Sequence, residues 1–502
     1  MTVLARLARR LSVLLALLIA CQLLAMGGTA GAAPPASSDL YRGILPDQRA
    51  AVQAATEGTL STYTISVDLD PASSSLSGSE DVRFVNQTGQ SLTSIPFRLY
   101  PNADYYGAGA LTVNDARVNG VAVTPALSVA GTVMQVPLPT PLPPRETAVV
   151  AMTFTTVVPA DSRGSFGIFN NATAYGTWVL ADWYPIVAGF EPGTGWRLDV
   201  PVDNVDPTFS DAALYDVTIT APSNLVVVTT GSEMSAKRSG DRTHHHAVSG
   251  PAREFGAVVD DNFVPVTGKA GKTTVTSYAN PNNVDAARAA LSVAIEALEI
   301  YSKQFGAYPY QELDVVDVPL SGALGVSWTG IIFLNGDLIY HARVDAYDPD
   351  RFRYLVVHEI GHQWWGALVG SNSNDHTFLS EGLTNASFVT FIAATDGADA
   401  ARTAFQSIIA DAYLTALAKS GDGVVDVRAG SATGGPSSGV LNYGKAAIGF
   451  IAIREQIGAD AFLAALQNYV REYRFKISTP GDLRGEFEAA SGEQLDTLWT
   501  FW

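Results

Sequence analysis

His358-Glu359-Ile360-Gly361-His362-Gln363-Trp364-Trp365-Gly366 is the stretch from which the architecture of this chain can be worked out. It lies within Asp348 to Val369, where apolar residues recur at the three-and-four spacing of a helix with a buried face. Histidines four apart on a helix share one face, so both imidazoles can reach one ion. Glu359 stands beside the first of them, where its carboxylate can address a water on that ion. Five residues of this kind also occur on ordinary helix surfaces, so a third ligand has to be found. Glu381 supplies it, nineteen positions after His362, in Phe378-Leu379-Ser380-Glu381-Gly382-Leu383-Thr384 at the start of the next helix. A short turn from Gly370 to Thr377 can lay that helix beside the first. Two histidines and a carboxylate leave a fourth position open, the donor set of a catalytic zinc (Zn2+) site.

On either side of this segment the chain divides in two. From Leu60 to about Asn262 it reads as β structure, with alternation in Tyr63-Thr64-Ile65-Ser66-Val67-Asp68-Leu69, Asp81 to Val85 and Tyr215 to Thr220. Five prolines between Pro137 and Pro144 predict a loop or an edge there. The helical period begins near Val284. It predicts helices over Val284 to Phe305, Ser380 to Thr395, Gly444 to Ile457, Ala459 to Tyr473 and Pro480 to Ser491, with short strands at Leu313 to Val316 and Gly330 to Phe333. The fold class is therefore multidomain, an all-β half followed by a mostly helical half with a small sheet. The boundaries expected are 1–33 for a signal peptide, 34–59 for a linker, 60–265 for the β domain and 266–502 for the catalytic domain.

Bulk composition fits such a chain. At 502 residues it exceeds what one core supports, and 47% apolar against 16% charged residues predicts folding rather than disorder. The net charge of −18 excludes nucleic acid as a partner, since phosphate binding needs clustered Lys and Arg. The first forty residues read as an export signal: Arg6, Arg9 and Arg10, an apolar run from Leu11 to Met26, then Ala30-Gly31-Ala32 as a cleavage site. Leu18-Ile19-Ala20-Cys21 offers the rival exit, a lipid anchor at Cys21. Both predict an exported protein, secreted or held at the cell surface. Cys21 is the single cysteine, which removes thiolate zinc sites and cysteine nucleophiles from consideration. His244-His245-His246 reads as a solvated strand, because strand neighbours point to opposite faces and at most two could share an ion. His376, between His362 and Glu381, is a candidate to support a ligand.

The chain resembles the zinc metallopeptidases of the aminopeptidase N and leukotriene hydrolase type, within the gluzincins. His358 to Gly366 is similar to that family's HExxHQWFG segment and Leu379-Ser380-Glu381-Gly382 to its LNEG. Tyr443-Gly444-Lys445-Ala446-Ala447 resembles its Y-x-K-G-A, with Ala446 in place of the glycine, and Asp182-Trp183-Tyr184-Pro185 is a looser likeness in the β half. The resemblance implies a saddle-like β domain, a thermolysin-like α+β catalytic domain, and a short form without the family's C-terminal helical domain. It implies metal ligands His358, His362 and Glu381, Glu359 as general base, and Tyr443 as donor to the oxyanion. Its G-x-M-E-N segment falls on Leu324-Gly325-Val326-Ser327-Trp328-Thr329, making Gly325 and Ser327 the substrate-binding candidates. Ser327 stands where the family has a glutamate for the substrate's free amine, and a hydroxyl cannot balance an ammonium, so Asp182 becomes the alternative anchor. The activity implied is removal of N-terminal amino acids from peptide substrates by a zinc-activated water. The alternatives are a zinc peptidase with no strict need of a free N-terminus and an exported, non-catalytic binding module.

Overall fold

The computed structural model describes residues 38–191, 193–204, 209–336, 349–428, 431 and 435–501. The signal segment expected over 1–33 and Cys21 lie outside the described residues.

The β half is built on an eight-stranded sheet. Ser61–Asp70 lies inside it, parallel to Ala213–Pro222 on one side and antiparallel to Ser75–Val85 on the other. Tyr63, Ile65, Val67 and Leu69 are the buried positions of that strand, the period-two alternation the sequence carries. Two four-stranded sheets and a two-stranded one, Phe190–Glu191 with Gly195–Trp196, accompany it in this half. A core including Phe97, Phe154, Trp183 and Tyr184 joins them. The proline-rich stretch continues the strand Val133–Leu142, but the neighbouring strand Ala126–Ser128 pairs only with residues 133–135. The prolines at 137, 139 and 141 therefore fall where their missing N–H groups cost no ladder bond on that side.

The residues expected as a linker over 34–59 are, from Asp39 on, structured instead. A turn at Asp39–Tyr41 leads to the helix Pro46–Thr56, and Leu40, Tyr41, Ile44 and Val52 are buried in the core of the catalytic half. The Leu45 N–H donates to the Pro309 carbonyl (2.8 Å) and the Gln311 N–H to that of Gly43 (2.9 Å). Four apolar side chains that close a core make this segment a strap.

The catalytic half begins with β1 (Val264–Ala270) and β2 (Thr273–Ala279), followed by α1 (Val284–Gln304). The buried positions of α1 are Ala287, Ala290, Ala294, Ala297, Leu298 and Tyr301, and the four alanines let it lie close on β1 and β2. Next come β3 (Glu312–Val318), β4 (Gly325–Trp328) and β5 (Ile331–Asn335). The five-stranded sheet runs β1-β2-β3-β5-β4, so β4 is an edge, antiparallel to β5. The helices α2 (Pro349–Gly361) and α3 (Phe378–Thr395) carry the motif residues. After them come α4 (Ala398–Ala404), α5 (Asp411–Ser420), α6 (Ala446–Ile457), α7 (Ala459–Tyr473) and α8 (Pro480–Ser491). The short α4 and α5 carry too few buried residues to show a period.

Among the boundaries that differ from the sequence reading, two have a local cause. The helix expected through Val369 ends at Gly361, and the chain turns at Gly366, whose φ of 125° favours glycine. Trp364, Trp365, Leu368 and Val369 are all buried, which is why the apolar pattern runs on past the helix. Arg253, at the end of the β half, holds this turn open. Its Nε donates to the carbonyls of Gly366 (2.7 Å) and Ala367 (3.1 Å), and its Nη2 to that of Lys476 (2.8 Å). Likewise α6 starts at Ala446 rather than Gly444, because Val440–Lys445 forms a wide π-helical turn before it.

Candidate active site

Two close approaches bring α2 and α3 together. A side chain at Gly361 would sit 2.9 Å from Thr384 Cγ2, and one at Gly382 would sit 2.6 Å from Ala446 Cβ. Bare backbone at these points lets α2, α3 and α6 meet closely enough for their polar residues to converge.

Where they meet, three donor atoms form a small triangle. His358 Nε2 and His362 Nε2 are 3.1 Å apart, and Glu381 Oε2 lies 3.2 Å from the first and 3.3 Å from the second. Metal–ligand bonds of about 2.0–2.1 Å in a tetrahedron put ligand atoms roughly 3.3 Å apart, so the triangle has the size of one metal site. Glu381 Oε2 is buried and has no hydrogen-bond donor. The other imidazole nitrogens point outward: His362 Nδ1 donates to the Trp365 carbonyl (3.1 Å), and His358 Nδ1 lies 2.8 Å from Asn385 Oδ1. Among the described residues this is the group of His and acidic side chains that converges in this way.

The three groups also shift one another's proton affinity. Burial opposes charge on His362, yet the Glu381 carboxylate overrules it and raises the pKa to about 9. Burial would raise the pKa of Glu381, but the two imidazoles hold it well below the usual carboxylate range. Two nitrogens, one carboxylate oxygen and an open fourth side fit catalytic zinc.

Glu359 is buried and is not part of the triangle. Burial raises its pKa, against the pull of His358, His362 and Ser327, with Glu381 adding to the rise. Ser327 Oγ donates to Glu359 Oε2 at 2.6 Å. A side chain at Gly325 would stand 2.5 Å from Glu359 Oε1. Gly325 and Ser327, expected to bind substrate, are thus placed by edge strand β4 against the Glu359 carboxylate. The Ser327 hydroxyl is engaged there and does not replace an amine anchor.

This placement predicts the effect of substitution. Ser327→Ala should lower kcat about tenfold, equivalent to about 1.4 kcal/mol, without changing zinc content. Ser327→Glu should fall further, because it sets a second carboxylate against Glu359. A Ser327→Glu enzyme with undiminished kcat would disprove the orienting role.

Tyr443 projects from the π-helical turn, and its ring stacks on His358 at 5.8 Å with an interplanar angle of 19°. The residue is 41% exposed. Burial and the Glu381 carboxylate, with which its hydroxyl is hydrogen-bonded, push its pKa well above the ordinary value, so it stays protonated.

Asn385 begins an N-x-S/T triplet to which the sequence reading gave no role, although it stands one helical turn after Glu381 and so shares its face. It donates from Nδ2 to the Tyr443 carbonyl (2.8 Å), and its Oδ1 accepts from the Tyr354 hydroxyl (2.8 Å). His376, by contrast, turns to Asp426, with 2.6 Å between Nδ1 and Oδ1, and supports no ligand. The turn before α3 is tied to the β half through an ion pair between Arg197 and Asp375, and Asn372 Nδ2 donates to Glu191 Oε2 (3.1 Å). His244 to His246 lie in the strand Arg242–Ala252, with His246 Nε2 3.0 Å from Asp216 Oδ1. Asp182 is buried with a φ of 55°, and its charge adds to the burial that raises the hydroxyl pKa values of Tyr105 and Tyr106.

This half is similar to known proteins. Residues 289–502 match the Peptidase family M1 domain. Over those residues the chain is similar to that domain. Aminopeptidase M1-B of Oryza sativa subsp. japonica is 27% identical over 243 residues, covering 46% of this chain and 27% of that protein. Glutamyl aminopeptidase of Rattus norvegicus is 24% identical over 243 residues, covering 47% and 25%. The chain thus spans about a quarter of the length of these relatives. A crystal structure of an M1 zinc metallopeptidase from Deinococcus radiodurans superposes with a TM-score of 0.62 at 18% identity, over 88% of this chain and 93% of that one. A mutant of that protein bound to a Tyr-Ser-Ala substrate matches with the same score and coverage. The two-domain architecture, a β half before a mostly helical half, is therefore that of a known fold.

Proposed function

We propose that this protein hydrolyses peptide bonds and releases N-terminal amino acids, with zinc held by His358, His362 and Glu381. The observation that carries the reading is Glu359, a buried carboxylate beside the donor triangle but outside it, held by Ser327 on one oxygen and facing bare backbone at Gly325 on the other. A structural metal site needs no such neighbour, and a binding module has no use for one. Zinc bound in the triangle would polarise the scissile carbonyl and make water nucleophilic near neutral pH. Glu359 takes the proton of the attacking water and returns it to the leaving amine, a task its raised pKa suits. Tyr443 donates from its protonated phenol to the oxyanion. Among the described residues β4 ends the sheet, and an extended peptide could add beside it as a further strand.

Preference for a free N-terminus is supported by the relatives, which are named aminopeptidases. A peptidase indifferent to the free amine is the second reading, favoured by the engagement of Ser327 with Glu359. Matched free and N-acetylated peptides separate them. The ratio of kcat/KM should favour the free amine at least tenfold, and a chelator should abolish both rates. Equal cleavage of the two peptides would establish the second reading, and hydrolysis that survives the chelator would remove both. Export, by cleavage near Ala32 or lipidation at Cys21, is likewise a proposal, tested by fractionation and mass spectrometry of the mature N-terminus.

A further inference from the structure

We propose that Asn385 is a positioning residue that sets the tautomer of His358 and couples it to Tyr443. This inference rests on the zinc-peptidase reading of the same site. Side-chain amides can be turned either way, so the orientation has to come from a partner of fixed character. The Tyr443 backbone carbonyl is such a partner, because it only accepts. At 2.8 Å it must face the Asn385 amide nitrogen. Asn385 Oδ1 then points the opposite way, 2.8 Å from both His358 Nδ1 and the Tyr354 hydroxyl. An amide oxygen has two lone pairs and no proton, so both neighbours must donate to it. His358 is thereby obliged to carry its proton on Nδ1, which leaves Nε2 with the lone pair that faces His362 Nε2 and Glu381 Oε2.

Asn385 thus holds a ligand with one end and the backbone of the oxyanion donor with the other. The ring of Tyr443 stacks on the ring of His358, so a shift of either is felt by its partner. Asn385 is itself buried on α3, one turn from Glu381, and water cannot readily replace it. Ligand orientation and oxyanion donation therefore depend on one amide.

The two ends can be separated by substitution. Asn385→Asp keeps an acceptor toward His358 and Tyr354 but sets oxygen against the Tyr443 carbonyl, whereas Asn385→Ala removes both ends. Zinc dissociation constants from chelator competition, kcat on a free peptide, and unfolding midpoints of the metal-free proteins are compared with the wild type. Asn385→Ala should weaken zinc about 10–100-fold and lower kcat. Asn385→Asp should keep zinc affinity within about threefold and still lose about tenfold in kcat. Midpoints alone would register a merely structural asparagine. Zinc affinity unchanged in Asn385→Ala, equally weak zinc in both variants, or wild-type kcat in Asn385→Asp would each overturn the proposal. A wild type that binds zinc and cleaves peptides beside such variants leaves the peptidase reading standing. A wild type that does neither overturns the peptidase reading, and this inference with it.

Discussion

Glu359→Gln should bind zinc as the wild type does and lose peptide hydrolysis by roughly 10²–10⁴-fold. The amide matches the carboxylate in size, and Glu359 lies outside the donor triangle, so the ligands stay in place. What disappears is the capacity to take a proton. The Ser327 hydroxyl can still donate to the amide oxygen, so the loss does not come from a displaced side chain. The check is kcat per bound zinc for variant and wild type, with metal content measured on the same samples. An unchanged rate would remove Glu359 as the base. A variant without zinc would mean that the carboxylate helps to hold the metal, against the geometry.

Glu381→Ala should lose nearly all its zinc, with affinity lower by on the order of 10³-fold. Two histidines remain, but the only charged donor is gone. Its removal also changes the balance at His362, whose raised pKa of about 9 depends on Glu381 working against burial. Metal analysis after dialysis against a weak chelator gives the answer, with activity and unfolding recorded alongside. Full zinc retention would show that the ion binds elsewhere. The fold itself should survive, since α3 is held by Leu379, Leu383, Phe388 and Phe391 in the core.

The catalytic elements were largely legible because helical periodicity is local. His358 and His362 share a face whatever surrounds the helix, and Glu381 follows on the next helix after a short turn. The linker reading of 34–59 failed for the opposite reason. Leu40, Tyr41, Ile44 and Val52 are too few and too irregularly spaced to show a period, yet each finds a place in a core built hundreds of positions later. The helix drawn through Val369 failed because Arg253 takes the carbonyls of a turn that apolar spacing alone cannot tell from helix.

By itself the sequence determined which chemistry is present: two imidazoles and a carboxylate for a metal, a second carboxylate beside them, and an all-β half ahead of a helical one. These follow from residue type and short-range spacing, which act within a turn or two of backbone. Only the tertiary structure decided what each neighbour of that chemistry does. Ser327 meets Glu359 across 32 positions and Asn385 meets His358 across 27. Arg253 reaches the Gly366 carbonyl across 113. Serine, asparagine and arginine make hydrogen bonds almost anywhere, so their types predict no partner. The partner is chosen by which backbones can approach, and here bare glycine backbone allows it: at Gly325, Gly361 and Gly382 for Ser327 and Asn385, and at Gly370 for Arg253.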